Sequence, residues 1–330
     1  MRYFVTGATG FVGGHLARQL LADGHQVSAL VRDPDRAGAL AAAGVELHRG
    51  DVTEPASIRG AMAGADGVFH VAAWYRIGAR DRSPAERINV DGTRHVLETM
   101  RELGVPKGVY TSTLAVFSDT GGRVVDESYS YDGPHLSEYD RTKWLAHYRV
   151  ALPMMRSGLP LVIVQPGVVY GPGDHSATGQ ALRDYLRRRL PLVPLGSAYC
   201  WAHVDDVARG HVLAMEKGRP GESYILAGPC HSFVEALEIA ERVTGVPPPR
   251  LRAPPWLLRL AAWLMTPLAA LMPLPESYHP ESLRAAAGVT YLGSNRKARE
   301  ELGYDPRPLE QGFREVLLPE LARLRRRSPP

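Results

Sequence analysis

Tyr3-Phe4-Val5-Thr6-Gly7-Ala8-Thr9-Gly10-Phe11-Val12-Gly13 decides the fold, read together with the run Gly14–Asp23 that follows it. Its first four residues are aromatic or β-branched, the composition of a buried strand. Three glycines then mark a turn before a segment whose apolar residues recur at helical spacing. Gly7 permits a tight turn, Gly10 lets the main chain approach a pyrophosphate, and Gly13 lets the helix pack on the strand. The helix start, with its unpaired N–H groups, then faces the phosphates. Thr9, Phe11 and Val12 complete the loop expected to touch the cofactor. A glycine string alone is a common turn; strand, turn, helix and next strand in that order make it a dinucleotide loop.

Outward from this turn, β-branched runs alternate with Ala/Leu/Arg-rich helical segments as far as about Gln165, the signature of repeated βαβ units. The pattern predicts strands near Tyr3–Thr6, Gln26–Val31, Val45–Arg49, Gly67–Val71, Lys107–Thr111 and Pro160–Val164, with helices starting near Phe11, Asp35, Pro55, Pro84 and Ser137. The expected fold is α/β, a Rossmann-type doubly wound parallel sheet over residues 1–170, with a smaller, mainly helical substrate lobe over 171–330. A strand near Ser223–Leu226 belongs to that second half, and part of 200–230 is expected to return to the first domain.

The totals exclude several classes. A chain of 330 residues with 45% hydrophobic and 22% charged residues is an ordinary globular composition. The net charge of +4 and pI of about 9.1 come from scattered arginines, apart from Arg187-Arg188-Arg189 and Arg325-Arg326-Arg327, and no nucleic-acid motif accompanies them. Cys200 and Cys230 lack metal or disulfide-framework spacing, and the histidines show no ligand pattern, so no bridge and no metal are expected. With no charged leader before the first strand, the expected compartment is the cytoplasm. Trp256 to Met272 is almost wholly apolar, but contains Arg259 and Pro267; it reads first as a buried or lid helix, with peripheral membrane contact and a membrane span as alternatives.

Chemistry enters at Tyr139-Asp140-Arg141-Thr142-Lys143, where Tyr139 and Lys143 stand one helical turn apart. A phenol titrating near 10 exchanges a proton at neutral pH only if positive charge stabilises its anion, and Lys143 supplies such a charge. The strand ending in Thr111-Ser112-Thr113 delivers hydroxyls to the carboxyl edge of the sheet, where ligands of open α/β folds bind. The second predicted strand ends in Val31-Arg32-Asp33-Pro34. Arg32 can fork onto a 2′-phosphate, so NADP(H) is expected ahead of NAD(H).

The GxxGxxG turn, the YxxxK pair, Gln165-Pro166-Gly167-Val168-Val169-Tyr170-Gly171-Pro172 and His203-Val204-Asp205-Asp206-Val207-Ala208 together resemble the extended short-chain dehydrogenase/reductase superfamily, which includes NAD(P)-dependent epimerases and dehydratases. Within it the chain is similar to the branch of dihydroflavonol 4-reductase. The resemblance implies that Thr113 holds the substrate oxygen beside Tyr139, with Ser112 as the neighbouring candidate. It implies that Lys143 also holds the nicotinamide ribose, and that Asp51 and Val52 meet the adenine. Ala72 and Ala73 would pass under the cofactor, Pro166, Val168 and Val169 would approach the nicotinamide, and Asn89 would support the site wall. Asp205 and Asp206 read as acids at a helix start.

Sugar-nucleotide enzymes of this superfamily carry an arginine near the position that Tyr199 occupies, so a diphosphate clamp is missing here. Trp74, Tyr75, Tyr170, Tyr199 and Trp201 are the substrate-binding candidates, a set suited to an apolar or aromatic small molecule. The implied activity is NADPH-dependent reduction of an aldehyde or ketone. A sugar or nucleotide-sugar epimerase and a dinucleotide-sensing regulator are the alternatives. A homodimer through the helices starting near Pro84 and Ser137 is expected, with Trp144, Leu145 and Tyr148 on its apolar face.

Overall fold

In the computed structural model, which describes residues 1–76, 79, 81–272, 274 and 279–327, seven parallel strands form the central sheet. They are β1 (Arg2–Thr6), β2 (Gln26–Val31), β3 (Glu46–Arg49), β4 (Gly67–His70), β5 (Gly108–Thr111), β6 (Leu161–Pro166) and β10 (Ser223–Leu226), ordered β10-β6-β5-β4-β1-β2-β3. Four strands form a second, mixed sheet: β7 (Val168–Tyr170), β9 (Ala198–His203), β11 (Cys230–Ser232) and β13 (Thr290–Tyr291). β8 (Val193–Pro194) pairs with β12 (Arg252–Ala253). The central strands are buried on both faces, which is why they read as continuous apolar runs rather than alternating ones. The direction of winding reverses between β1 and β4, and their carboxyl ends open the crevice where a dinucleotide binds.

Each face of the sheet carries its own core. Leu16, Leu20, Val212 and Leu213 from helices Phe11–Ala22 and Val204–Glu216 cover one. Ile58, Met62, Val96, Met100 and Val150 cover the other. On that second face two long helices, Ser83–Glu102 and Glu138–Arg156, each contain a π-helical segment, Arg87–Asp91 and Ala146–Ala151. Pro153 explains the second: it has no N–H to return to the preceding turn, and the widened segment lies just before it.

The C-terminal half has its own core, and two expectations change there. Tyr170 and Trp201 are fully buried, wedged against Phe313 and Phe233, with the Trp201 indole donating to the His231 carbonyl at 3.3 Å. They hold the helix Leu309–Arg327 onto the small sheet and present no ring to a substrate. Cys200 and Cys230 face each other across β9 and β11 and form a disulfide, contrary to the unbridged pair expected. Strand pairing brought them together, a proximity that a sequence separation of 30 does not reveal. Among the described residues no helix is long and apolar enough to cross a membrane.

A Cβ at position 13 would stand 2.2 Å from the Gly7 carbonyl oxygen, whereas one at exposed Gly60 would meet nothing within 4 Å. Gly13→Ala should therefore lower the melting temperature and abolish dinucleotide binding. Gly60→Ala, in the middle of a helix, should raise stability by about 0.5–1 kcal/mol and leave binding alone. Thermal melts and a fluorescence titration of the dinucleotide check both.

Candidate active site

The glycine turn meets a second turn after β4. Thr6 joins the two, with its hydroxyl 2.7 Å from His70 Nδ1 and accepting from the Ala72 N–H at 3.3 Å. Gly7 adopts φ +77°, and a Cβ there would lie 2.6 Å from the Ala72 nitrogen. Gly10 is the N-cap of the helix Phe11–Ala22, with no side chain bonded to the helix start. This cradle of bare backbone ending in a helix N-terminus fits a pyrophosphate. Thr9 is exposed in it, and Phe11 and Val12 are half-buried. His15 ties the helix to the opposite rim, 2.5 Å from Asp205 and 3.2 Å from the Pro172 carbonyl. Asp205 and Asp206 open the helix Val204–Glu216, and Arg307 grips both Asp206 oxygens at 2.7–3.0 Å.

At the adenosine end, Arg32 is exposed and makes no ion pair among the described residues. Asp33 is occupied: its carboxylate accepts the Asp35 N–H at 3.2 Å and caps the turn Pro34–Ala37. Asp51 accepts the Thr53 N–H and hydroxyl, both at 2.9 Å. Val52 turns its side chain into the core against Gly92 and places its carbonyl on His95. Pro166 ends β6 buried, while Val168 and Val169 are half-buried on β7, beside Trp201 and Ala202. Ala72 is half-buried and Ala73 exposed on the turn facing the glycines.

The helix carrying the tyrosine–lysine pair starts at Glu138 because the Ser137 hydroxyl accepts the Asp140 N–H at 3.1 Å, with Glu138 and Asp140 at the positive end of its dipole. Lys143 is buried. Its ammonium donates to the Thr111 carbonyl at 2.8 Å and to the Tyr110 hydroxyl at 3.1 Å, and lies 4.8 Å from the Tyr110 ring centre. Burial pulls its pKa down to about 7. His70 and His147, both buried, are pushed down to about 3, first by burial and then by the lysine's charge. They stay neutral, so Lys143 is the only cation that this cluster of three can hold.

Tyr139 is held well above the ordinary phenol range by burial first and then by the Asp140 carboxylate, with the Thr113 hydroxyl acting in the opposite sense. It therefore stands in its proton-donating form, with Thr113 beside it. Thr113 also caps the turn Leu114–Phe117 through the Ala115 N–H. Ser112 does not join them. It is buried with its hydroxyl 2.8 Å from His147 Nδ1, because alternate residues of the strand point to opposite faces.

Asn89 clamps the wall: it accepts the Trp74 N–H at 2.7 Å and donates to the Trp74 carbonyl at 3.1 Å and the Thr142 hydroxyl at 2.9 Å. That clamp sets Tyr75 edge-on to Tyr139, ring centres 4.7 Å apart. Across the site Tyr199 stacks on Tyr291 at 6.2 Å, and the Tyr291 hydroxyl donates to Asp140 at 3.1 Å. Burial raises the Asp140 carboxyl to about 7, with Glu281 contributing in the same sense. Glu281 is buried and paired with Arg82 at 2.9 Å. Trp144 and Tyr148, expected on a free face, are engaged by the chain's own loop through the Tyr131 and Tyr129 carbonyls, and Leu145 is half-buried against the core.

Tyr110, Tyr291 and Glu281 escaped sequence reasoning. Tyr110 lies within the predicted strand Lys107–Thr111 and could have been found as the partner that a buried lysine requires. Tyr291 lies 151 residues from Asp140 and carries no local signal.

Residues 3–227 match the family described as NAD dependent epimerase/dehydratase. The chain is 33% identical, over 96% of its length and 93% of the relative's, to a Synechocystis sp. protein provisionally named dihydroflavonol 4-reductase. It is also 33% identical, over 94% of both chains, to the 4-hydroxy-2-methyl-3-oxo-4-farnesyl-3,4-dihydroquinoline-1-oxide ketoreductase of Stigmatella aurantiaca. The crystal structure of gox2253 superposes with a TM-score of 0.83 at 32% identity, covering 99% of both chains. The chain belongs to the NAD-dependent epimerase/dehydratase family, within the extended short-chain dehydrogenase/reductases. It is an NAD(P)-dependent oxidoreductase.

Because the Asp140 pKa is raised in the fold, the protonated acid favours folding. That contribution is complete below the ordinary value of 3.8 and is lost as pH rises through about 7. Asp140→Asn should therefore raise stability by something on the order of a few kcal/mol at pH 8, with a clear rise in melting temperature, and by much less at pH 5. Melting curves at the two pH values measure the difference.

Proposed function

We propose that the protein reduces an aldehyde or ketone on a mainly apolar small molecule, using NADPH, and oxidises the alcohol in the reverse direction. The observation that carries this reading is the surroundings of Tyr139. Tyr75, Tyr199 and Tyr291 line the approach, and apart from Lys143 the buried ionisable groups there are, among the described residues, the carboxyls Asp140 and Glu281. Arg82 is already paired with Glu281. Aromatic rings and acids favour an uncharged ring system and oppose a sugar diphosphate. The relative named a ketoreductase acts on a farnesyl-bearing dihydroquinoline oxide, which supports the same substrate class.

In this reading the bound dinucleotide supplies the hydride. Tyr139 gives the proton, Thr113 holds the carbonyl oxygen, and Lys143 supports the developing phenolate and the cofactor ribose. Arg32, which follows β2 and makes no ion pair among the described residues while Asp33 caps its own turn, supports NADP(H) over NAD(H). Arg32→Ala should weaken NADP(H) binding at least tenfold and leave NAD(H) nearly unchanged. Calorimetric titration of both cofactors checks it, and tighter NAD(H) binding by the parent would overturn the preference.

Tyr139→Phe should reduce turnover at least ~10²-fold with cofactor binding intact. Thr113→Ala should cost about 10²-fold, and Thr113→Ser much less. Parental rates from Tyr139→Phe would favour the dinucleotide-sensing alternative. Isomerisation of a nucleotide sugar without net NADPH consumption would replace the reductase with an epimerase.

A homodimer through helices Ser83–Glu102 and Glu138–Arg156 is proposed with this activity, and the mass in solution at micromolar concentration tests it. The cytoplasm is the proposed compartment. Glutathione and thioredoxin there keep thiols reduced, so the Cys200–Cys230 bridge stands against this compartment; free thiols in protein taken rapidly from cells would support it, and a persistent bridge would overturn it.

A further inference from the structure

The helix Pro255–Leu271 is apolar on both sides and covered on one. Leu258 and Ala262 face inward, beside the short helix Pro280–Ala285. Trp256, Leu260, Trp263, Leu264, Leu268 and Leu271 recur at spacings of three and four and lie outward, with Trp256 64%, Trp263 71% and Leu271 83% exposed. Isolated exposed leucines are ordinary, but a continuous stripe with two tryptophans is an interaction surface.

We propose that this outward face docks the protein on the surface of a lipid bilayer bearing anionic headgroups. Charge selects that occupant. From Arg242 to Pro275 the chain has no aspartate or glutamate, while Arg242, Arg250, Arg252 and Arg259 fall within it. Arg250 and Arg252 stand exposed just before the helix and make no ion pair among the described residues. A second copy of the same stretch would offer those arginines no anionic side chain, whereas phosphate headgroups would supply the anion.

Geometry sets the depth. The inward side is occupied by protein and the helix has 17 residues, so it lies in the interfacial layer, with its tryptophans at headgroup level and its leucines below. The helix packs on Pro280–Ala285, whose Glu281 acts on Asp140 beside Tyr139. Docking through it seats the substrate lobe against the lipid.

Purified full-length protein should be sedimented with vesicles of phosphatidylcholine alone and with phosphatidylglycerol added, in the absence of carbonyl substrate, so that the outcome is independent of the reductase reading. The expected result is at least tenfold greater partition onto the anionic vesicles, with a blue shift of tryptophan emission and partial release by salt. Arg250→Gln with Arg252→Gln should remove the preference for anionic lipid. Leu260→Glu with Trp263→Glu should abolish partition while NADPH binding and circular dichroism stay parental.

Equal or no partition of the parent onto either vesicle would overturn the proposal, whatever the variants do. So would unchanged partition of the folded Leu260→Glu, Trp263→Glu variant. A parent that ignores vesicles but halves in mass on those substitutions would make the face a contact between copies.

Discussion

An ammonium group is buried at the centre of this enzyme, and much of the surrounding structure answers to it. Removing Lys143 from water costs several kcal/mol unless dipoles and electron density replace the lost hydration. The Thr111 carbonyl, the Tyr110 hydroxyl and the face of the Tyr110 ring do so. Each comes from β5, which explains why this strand ends where it does, with Thr111 freed to turn its carbonyl toward the lysine. The neighbouring imidazoles are held neutral, and each has a hydroxyl partner: Thr6 and Thr93 for His70, Ser112 for His147. What looks like three separate buried polar pairs is one arrangement that keeps competing protons away from the tyrosine–lysine pair.

That arrangement also shows where reading by pattern succeeds. The glycine turn, the strand sequence and the start of the helix at Ser137 are set by local chemistry, namely bare backbone, β-branched runs and a hydroxyl cap, and each is visible within about ten residues. The strand boundaries near Gln26–Val31 and Ser223–Leu226 coincide with those observed. Long-range pairing is invisible by the same logic. Ser112 and Thr113 are chemically alike in sequence, and the alternation of the strand sends one toward His147 and leaves the other beside Tyr139. Tyr170 and Trp201 have the composition of a ligand wall, but the C-terminal helix covers them. Cys200 and Cys230 are matched by strand pairing that no spacing rule announces.

The substrate side depends on contributions from distant parts of the chain. Tyr75 is aimed by Asn89, Tyr199 by the small sheet, and Tyr291 by its bond to Asp140. Asp140 belongs to the helix that carries Tyr139, so the aromatic wall and the proposed proton donor are tied to one element. A change in the ring set would therefore reach Tyr139 through the raised carboxyl next to it. In the proposed reaction, specificity and proton transfer would thus be coupled through a single residue step along a helix.

The outermost strand of the central sheet, β10, comes from residues 223–226, and among the described residues β6 is its only neighbour. During synthesis the preceding strands emerge first. Until the ribosome releases β10, the valine-rich β6 presents an unpaired edge of backbone donors and acceptors, the geometry that templates aggregation. The nucleotide-binding half is thus not an excisable module. A fragment ending near residue 170 should be poorly soluble on its own, and graft-and-swap engineering must carry the returning strand along with the glycine turn.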